Sequence, residues 1–363
     1  MSLRATFQKY TLHFRFEAGT SRGVLTEKET YFLKIFNAQD PSVFGLGECS
    51  ILKGLSFDDV EDYEQKLQSV CDLFNELDLE VFSWNIPIIL EQIIDKKLPS
   101  VVFGFETALL DYLNAGKRIV YDNSFSKSQS TIAINGLVWM GEKDFMLKQI
   151  NDKLKEGYTC LKLKIGGIDF EAECSLLEHI REQFAAKDLT LRLDANGAFD
   201  ESNVYQKLEQ LANFEIHSIE QPIKPNQHDL LKQVIEKSPI PIALDEELII
   251  PRDYTQKMQM LKQLMPPFIV LKPSLLGGFT QTKEWIEIAS RLGINWWVTS
   301  ALESNVGLNA IAQFCGEFDT KLPQGLGTGQ LYHNNIPSPL KINNGFIMSD
   351  LALKWDLSTI GFH

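Results

Sequence analysis

The segment Cys160-Leu-Lys-Leu-Lys-Ile165 alternates apolar and cationic side chains over six positions, which predicts a strand with two chemically different faces. Alternate residues of a β-strand point to the same side, so Lys162 and Lys164 share one face. In a barrel, one face of each strand meets the surrounding helices, and we expect that face to be the apolar one. The two lysines are therefore predicted to point into the barrel, where their charges need an anionic group nearby.

Short apolar runs like this one recur along residues 131–326 at intervals of about 25–30 residues. Each run but the last is followed by a helical pattern, and Gly293 is placed to end one of these helices. The eight runs are Thr131–Asn135, Cys160–Ile165, Leu191–Asp194, Ile216–Glu220, Ile242–Asp245, Phe268–Lys272, Trp296–Ser300 and Leu322–Leu326. Eight strands alternating with seven helices predict a (β/α)₇β barrel, a modified TIM barrel of the α/β class.

The N-terminal part of the sequence predicts a separate α+β domain. Three alternating runs read as strands, at Thr6–Phe16, Glu29–Phe36 and Phe44–Glu48, with Ala18–Gly23 as a loop. A helical period follows, from Asp58 to about Asn114. We therefore expect residues 1–129 to form a capping domain that the C-terminal tail, residues 331–363, completes. Residues 130–330 would form the barrel.

Composition and charge exclude several classes of protein. The chain has 363 residues, 44% hydrophobic and 23% charged, as in ordinary globular proteins. Its net charge of −13 argues against a nucleic-acid partner. No run is long and apolar enough for a membrane span, and the N-terminus lacks a secretory apolar region. Five scattered cysteines without a C-x-x-C motif predict a reducing, cytoplasmic location. The sequence leaves open whether the chain is a monomer or a homo-oligomer.

Polar residues end the successive apolar runs from the second to the sixth. They are Lys162 and Lys164, then Asp194 and Asn196, then Glu220, then Asp245 and Glu246, then Lys272. Successive positions lie 25 to 30 residues apart, about one βα unit, which places each at the carboxyl end of its strand. Three carboxylates from neighbouring strands offer the hard oxygen ligands that Mg²⁺ prefers, with Mn²⁺ as a substitute.

Each of these residues also has an ordinary interpretation. A lone Lys-x-Lys is usually a solvated strand edge, and a lone aspartate at a strand end, such as Asp194 or Asp245, is usually the N-cap of the next helix. Glu220, before Gln-Pro, resembles a turn residue. The ordered set in successive units favours a site over five independent coincidences.

Two glycine-containing segments bear on whether the chain binds phosphate. An open doubly wound sheet, the alternative to a barrel, would carry a glycine-rich turn after its first strand, and Asn135-Gly-Leu-Val-Trp-Met-Gly141 is not such a turn. Gly325-Leu-Gly-Thr-Gly329 is richer in glycine, but no helix follows it. We interpret the second segment as a backbone turn close to the substrate.

The motifs resemble those of the enolase superfamily, in its muconate-lactonising-enzyme-like branch, over essentially the whole chain. They are Leu161-Lys-Leu-Lys164, Leu193-Asp-Ala-Asn196, Ile219-Glu-Gln-Pro222, Ala243-Leu-Asp-Glu246 and Val270-Leu-Lys-Pro273. Within that branch the chain is most similar to the o-succinylbenzoate synthase family. That narrower resemblance depends on Thr20-Ser-Arg-Gly-Val24, Ile134-Asn-Gly-Leu137, Ser300-Ala-Leu-Glu-Ser304 and Gly325-Leu-Gly-Thr-Gly329.

The resemblance implies a Mg²⁺-dependent dehydration in menaquinone biosynthesis. The substrate would be 2-succinyl-6-hydroxy-2,4-cyclohexadiene-1-carboxylate and the product o-succinylbenzoate, formed through an enediolate. Asp194, Glu220 and Asp245 would bind the metal. Lys164 would act as base and then as acid, Lys162 would orient the carboxylate and lower the pKa of Lys164, and Lys272 would stabilise the enediolate. The expected substrate contacts are Asn196, Ser300, Ser304, Arg22, Gly327 and Thr328.

Two other functions are compatible with the same lysines or the same fold. One is an N-succinylamino acid racemase or dipeptide epimerase of the superfamily. Dipeptide epimerases of this branch typically carry Asp-x-Asp at the end of the eighth strand, and Leu322–Gly329 contains no acidic residue. The other is a non-catalytic barrel that binds a metal or an anion, for which two inward lysines would be unnecessary.

Overall fold

The computed structural model describes residues 3–20 and 23–362 of the chain. The N-terminal part contains three strands followed by three helices. They are β1 (Leu3–Thr20), β2 (Gly23–Asn37), β3 (Asp40–Cys49), α1 (Tyr63–Glu76), α2 (Ile86–Ile93) and α3 (Pro99–Leu113). The three strands form an antiparallel sheet in the order β1-β2-β3, and the three predicted strands are all present.

Helix α3 lies directly on the N-terminal sheet because β3 carries glycine where the two meet. A Cβ atom on Gly45 would overlap the backbone of α3 at Ala108, and one on Gly47 would overlap the backbone at Gly104. The absence of side chains at these two positions lets helix and sheet come into contact. Leu33 of β2 is fully buried in the apolar core that results.

The predicted loop Ala18–Gly23 is wrong in most of its length. β1 continues to Thr20 and β2 begins at Gly23, with Ala18 paired to Leu25 and Thr20 paired to Gly23. The pairing register of β1 and β2 shifts between His13 and Ala18. Pairing resumes at Ala18, beyond the last residue of the predicted strand. The two residues between the strands, 21 and 22, lie outside the described part of the chain.

The rest of the chain alternates strands and helices as predicted. The elements are β4 (Ile132–Ala133), β5 (Gly136–Val138), α4 (Lys143–Lys155), β6 (Cys160–Lys164), α5 (Phe170–Gln183), β7 (Thr190–Asp194), α6 (Val204–Ala212), β8 (Ser218–Glu220), α7 (His228–Lys237), β9 (Ile242–Leu244), α8 (Tyr254–Leu264), β10 (Phe268–Leu271), α9 (Pro273–Leu276), α10 (Gly278–Leu292), β11 (Asn295–Val298), α11 (Asn305–Cys315), β12 (Leu340–Asn343) and β13 (Phe346–Ser349). Gly293 ends α10 in the left-handed conformation, with φ 70°, as predicted.

Seven parallel strands form one curled sheet in the order β5-β6-β7-β8-β9-β10-β11. The gap between β11 and β5 is bridged by Gln324 and Gly325. The Gln324 amide donates to the carbonyl of Ala133 at 2.8 Å, and the Gly325 amide donates to the carbonyl of Val298 at 2.8 Å. The eighth strand is thus present at its predicted place, Leu322–Leu326, but only as two bridging residues.

The first barrel strand differs from the prediction. We expected Thr131–Asn135, whereas the strand paired with β6 is Gly136–Val138. The earlier residues Ile132–Ala133 form β4, whose hydrogen bonds go to β13 of the C-terminal tail, with Ile132 opposite Ile347. Tertiary pairing with the tail therefore divides a run that looks continuous in the sequence.

The C-terminal tail contacts both parts of the molecule. β12 and β13 form a hairpin that extends to β4, and Phe362 packs edge-to-face on Phe44 of β3. The division into a capping domain and a barrel stays a prediction.

The apolar side chains of the barrel strands and helices share one core. Leu161, Leu191 and Ile219 are fully buried against helix residues such as Leu177 of α5. Each buried side chain of this size contributes about 1.5–3 kcal/mol, which holds the helices on the outside of the sheet. No helix within residues 3–20 and 23–362 is long and apolar enough to cross a membrane.

Candidate active site

Three neighbouring strands bring charged side chains to one end of the barrel. Lys164 of β6 lies beside Asp194 of β7, and Asp194 lies beside Glu220 of β8. Asp245 follows β9 and Lys272 follows β10, so both continue the same row. The spacing in the sequence predicted this arrangement. Lys162, Lys164, Asp194, Glu220 and Asp245 are buried, each at most 9% exposed as a whole residue, and Lys272 is partly buried.

The lysines and carboxylates form one ion-pair network. The Nζ atom of Lys162 lies 2.6 Å from Oε2 of Glu220 and 3.0 Å from Oδ2 of Asp194. The Nζ atom of Lys164 lies 3.1 Å from the same Oδ2 atom of Asp194, and Lys272 pairs with Asp245. The burial cost of each charge is thereby offset by an opposite charge in direct contact.

The pKa values of the groups in this network are shifted in different directions. Burial alone would lower the pKa of Lys162, but the carboxylates of Asp194 and Glu220 raise it above its usual value. Burial alone would raise the pKa of Asp194, yet the three ammonium groups hold it well below its usual value. Burial, together with the charge of Asp194, raises the pKa of Glu220 to about 8. Asp194 is therefore more firmly ionised than Glu220.

The carboxylates are suited to a divalent cation. Asp194, Glu220 and Asp245 offer only oxygen donors, and Oε1 of Glu220 is buried without a hydrogen-bond partner among the described residues. In the described part of the chain, the acidic groups do not converge into a ready-made metal site. The lysine ammonium groups compensate their charge instead. A divalent cation bound by these oxygens would neutralise part of the carboxylate charge in place of the lysines.

Asn196 is a second hydrogen-bond partner of the Lys164 ammonium group, beside Asp194. Its Oδ1 atom accepts a hydrogen bond from Nζ of Lys164 at 2.7 Å, and its Nδ2 atom donates to Oε1 of Glu246 at 3.1 Å. Asn196 adopts φ 44°, a left-handed conformation that asparagine tolerates better than most residues. The residue thus fixes the position of the Lys164 ammonium group.

A cavity of about 150 Å³ lies over the network. We call one set of lining residues, from the carboxyl ends of β6, β7 and β10, the charged wall: Lys162, Lys164, Asp194, Asn196 and Lys272. We call a second set, from the end of β11 and the segment after α11, the hydroxyl wall: Thr299, Ser300, Gly325, Gly327 and Thr328. The N-terminal part of the chain also lines the cavity, through Gly23, Val24, Leu25, Leu52, Lys53 and Leu55.

Four of the six predicted substrate contacts line this cavity: Asn196, Ser300, Gly327 and Thr328. Ser304 does not. Its side chain caps α11 by accepting from the amide of Val306 and donates to Glu48 at 2.6 Å, so it is engaged inside the protein. Arg22 lies outside the described residues, although Gly23 and Val24 beside it reach the cavity. Its role stays a prediction.

Several lining residues were not among the sequence candidates. Asn135, Leu137 and Trp139 lie on one face of β5 and its flanks, and the Lys164 ammonium group stands 5.8 Å from the Trp139 ring centroid. The two-residue alternation around β5 could have identified them. Lys53 comes from the irregular segment after β3, where no periodicity points to a site.

Comparisons with known proteins agree with this geometry. Residues 146–351 match the family model described as Enolase C-terminal domain-like. The chain belongs to the enolase superfamily. A protein of Desulfotalea psychrophila named o-succinylbenzoate synthase is 42% identical over 379 aligned positions, covering 95% of this chain and 98% of that protein. A dipeptide epimerase of a Flavobacteria bacterium, named for hydrophobic dipeptides, is 26% identical and covers 87% of this chain and 88% of the relative.

A solved structure shows the same fold within the superfamily. The crystal structure of MenC from Desulfotalea psychrophila superposes with a TM-score of 0.85 at 40% identity, covering 96% of this chain and 100% of that one. The predicted (β/α)₇β barrel is thus confirmed, and this chain is an enzyme of the enolase superfamily. Enzymes of this superfamily generally depend on a divalent metal ion and act on small substrates.

Proposed function

We propose that this enzyme dehydrates 2-succinyl-6-hydroxy-2,4-cyclohexadiene-1-carboxylate to o-succinylbenzoate. The observation that carries the proposal is the pair Lys164 and Lys272 on opposite sides of one cavity. β6 and β10 are separated by β7, β8 and β9 in the sheet, so their ends face each other across the barrel. A substrate between them has one ammonium group on each face. The 42% identity to a protein named o-succinylbenzoate synthase supports this particular reaction.

Lys164 is proposed to move the proton. Its Nζ atom takes the proton from the carbon that bears the carboxylate, leaving an enediolate, and then returns a proton to the hydroxyl group of the neighbouring carbon. The carbon–oxygen bond breaks, water leaves and the ring becomes aromatic. Asn196 and Asp194 hold Nζ at 2.7 and 3.1 Å, which positions the group for both transfers.

Lys272 and Lys162 are proposed to act by charge. Lys272, held by Asp245, lies on the face opposite Lys164 and stabilises the developing negative charge there. Lys162 bridges Asp194 and Glu220 and keeps the charged wall together. Asp194, Glu220 and Asp245 would hold Mg²⁺, or Mn²⁺ in its place, and such an ion supplies electrostatic stabilisation of the substrate carboxylate.

The hydroxyl wall favours dehydration over dipeptide epimerisation. Among the described residues that line the cavity, Asp194 is the one carboxylate, and it is already paired with two lysines. The α-ammonium group of a dipeptide would therefore be buried without a partner, at a cost of several kcal/mol. An N-succinylamino acid has a neutral amide instead. Racemisation of such compounds is the second candidate, because Lys164 and Lys272 face each other as two bases would.

A rate comparison tests the proposal. Purified enzyme with Mg²⁺ is assayed on the cyclohexadiene carboxylate, on L-Ala-L-Glu and on an N-succinylamino acid. We expect kcat/KM to be largest for dehydration and smallest for the dipeptide. A larger kcat/KM for epimerisation of the dipeptide would contradict the proposal. The five unpaired cysteines support the inference that the enzyme works in a reducing compartment such as the cytoplasm.

A further inference from the structure

Ser300, at the centre of the hydroxyl wall, has no hydrogen-bonding capacity left for a ligand. Its hydroxyl donates to Oε2 of Glu303. The oxygen accepts from the hydroxyl of Thr328 at 2.8 Å and from the amide of Glu303 at 3.3 Å. A serine hydroxyl has one proton and two lone pairs, so all three are used inside the protein.

The hydroxyl group of Thr328 can therefore only accept a hydrogen bond from a ligand. Its proton is given to Ser300, and only its oxygen lone pairs remain for the cavity that Thr328 lines. Thr299, the neighbouring hydroxyl, also gives its proton away, to the carbonyl of Gly325 at 2.9 Å. The hydroxyl wall thus accepts hydrogen bonds through its side chains and donates none.

Glu303 determines the orientation of the Ser300 and Thr328 hydroxyl groups. It is fully buried, accepts from Ser274 as well as Ser300, and lies within reach of the charge of Lys28. Both oxygens of Glu303 accept from serine hydroxyl groups, Oε1 from Ser274 and Oε2 from Ser300, so the proton of Ser300 points towards Glu303. The proton of Thr328 then has to occupy the lone pair of Ser300. Glu303 acts on the cavity through two other residues and is a positioning residue.

The proposed substrate offers one neutral donor to such a wall. Its two carboxylates and its ketone are acceptors, and its ring hydroxyl is the group that leaves. We propose that Thr328 Oγ1 accepts the hydrogen bond of the leaving hydroxyl group and then of the water that forms. Glu303 and Ser300 hold Thr328 in the accepting orientation. This inference rests on the proposed function, and it adds the residues that recognise the leaving group.

The contact has a consequence for the product. Lys164 gives a proton to the hydroxyl oxygen, the carbon–oxygen bond breaks and water remains, with two O–H donors of its own. The aromatic product has only acceptors, two carboxylates and a ketone. The side-chain hydroxyl groups of the wall therefore offer an acceptor to the substrate and to water, and no donor to the product.

A pair of probes tests the inference without turnover. The probes are trans-2-hydroxycyclohexane-1-carboxylate and its 2-methoxy analogue, bound to the enzyme with Mg²⁺ and measured by calorimetry. The hydroxy probe has a donor beside the carboxylate, whereas the methoxy probe has only an acceptor. We expect wild type to bind the hydroxy probe about two- to tenfold more tightly, the range of one net hydrogen bond.

Three variants distinguish the effect of hydrogen-bond direction from the effect of a change in cavity shape. Thr328→Val should weaken the hydroxy probe to the level of the methoxy probe, and Thr328→Ser should restore the preference. Ser300→Ala leaves the Thr328 proton without its acceptor, so the methoxy probe should gain affinity. Thermal unfolding confirms that each variant is folded. Equal binding of the two probes by wild type, or no gain for the methoxy probe in Ser300→Ala, would overturn the inference.

The outcome is separable from that of the proposed function. If wild type fails to dehydrate the cyclohexadiene substrate but prefers the hydroxy probe, the proposed function fails and the acceptor wall stands. If it dehydrates the substrate but shows no preference, the reaction stands and Thr328 is not the contact of the leaving group.

Discussion

The charged wall and the hydroxyl wall differ in how they are built. The charged wall comes from regular βα units, and each of its lysines is paired with a carboxylate from a neighbouring strand. The hydroxyl wall comes from the end of β11, two bridging residues and a short turn, and within the described chain its side chains carry no charge. Proton transfer needs charge held in place, whereas discrimination between ligands needs hydrogen bonds of a defined direction. The two requirements are therefore met by separate sets of residues around the cavity, and substitutions should separate them.

The largest loss of catalytic rate should follow from Lys164→Arg on the charged wall. Arginine keeps the charge but cannot deprotonate near neutral pH, so kcat for dehydration should fall about 10²–10⁴-fold while substrate binding persists. Steady-state rates and calorimetric binding measure the two effects. Lys148→Arg, an exposed substitution on α4, is the matched control. Near-wild-type turnover in Lys164→Arg would exclude Lys164 as the base.

Removal of metal should abolish turnover as well. Excess EDTA is expected to stop dehydration and added Mg²⁺ to restore it, because the carboxylates are suited to that ion. Asp194→Ala, Glu220→Ala and Asp245→Ala should each lose activity, and Asp245→Ala also removes the ion-pair partner of Lys272, at about 3–5 kcal/mol. Circular dichroism distinguishes loss of metal from unfolding. Full activity in EDTA would show that the charged wall works without a metal ion.

On the hydroxyl wall, two glycines should respond differently to the same change. A Cβ atom at Gly325 would overlap the Thr299 side chain, so Gly325→Ala should lower the stability by about 1–3 kcal/mol. A Cβ atom at Gly327 has its nearest neighbour at 3.6 Å, so Gly327→Ala should leave the stability unchanged and raise KM by narrowing the cavity. Chemical denaturation and steady-state rates test the contrast. Equal loss of stability in both variants would contradict it.

The smallest expected effect is on the pH dependence of stability, and it comes from Glu173 of α5, beside the turn after β6. It accepts from the amides of Gly166 and Gly167 in the turn after β6. Burial raises the pKa of Glu173 from 4.5 to about 7. The folded state therefore holds a proton that the unfolded state has released. This contribution to stability is complete below pH 4.5 and is lost as the pH rises to about 7.

Glu173→Gln should remove that part of the pH dependence. Denaturation between pH 4.5 and 7 measures it as a smaller loss of stability in the variant than in wild type. Glu171→Gln, an exposed change in the same helix, is the control. A parallel course of the wild-type and Glu173→Gln curves would show that Glu173 does not titrate in this range.

The charged wall was largely predictable because its information is local. A strand of period two fixes which way Lys162 and Lys164 point relative to each other, and the length of a βα unit places Asp194, Glu220 and Asp245 at equivalent strand ends. Neither inference needs a long-range contact. The seam between the last and the first barrel strands was predicted less well. β5 begins at Gly136 rather than Thr131, because Ile132–Ala133 pair with a strand more than 200 residues away.

The sequence by itself determined the barrel, its order of strands, the carboxylates and the lysines, since alternation and repeat length are properties of the backbone. Only the tertiary structure decided which hydroxyl groups reach the cavity and in which direction they bind. Ser300, Ser304 and Thr328 look alike as candidates in the sequence, but Ser304 caps a helix, Ser300 is saturated by Glu303 and Thr328, and Thr328 keeps its lone pairs for a ligand. Hydrogen-bond direction depends on every neighbour within reach, and those neighbours are brought together only when the chain has folded.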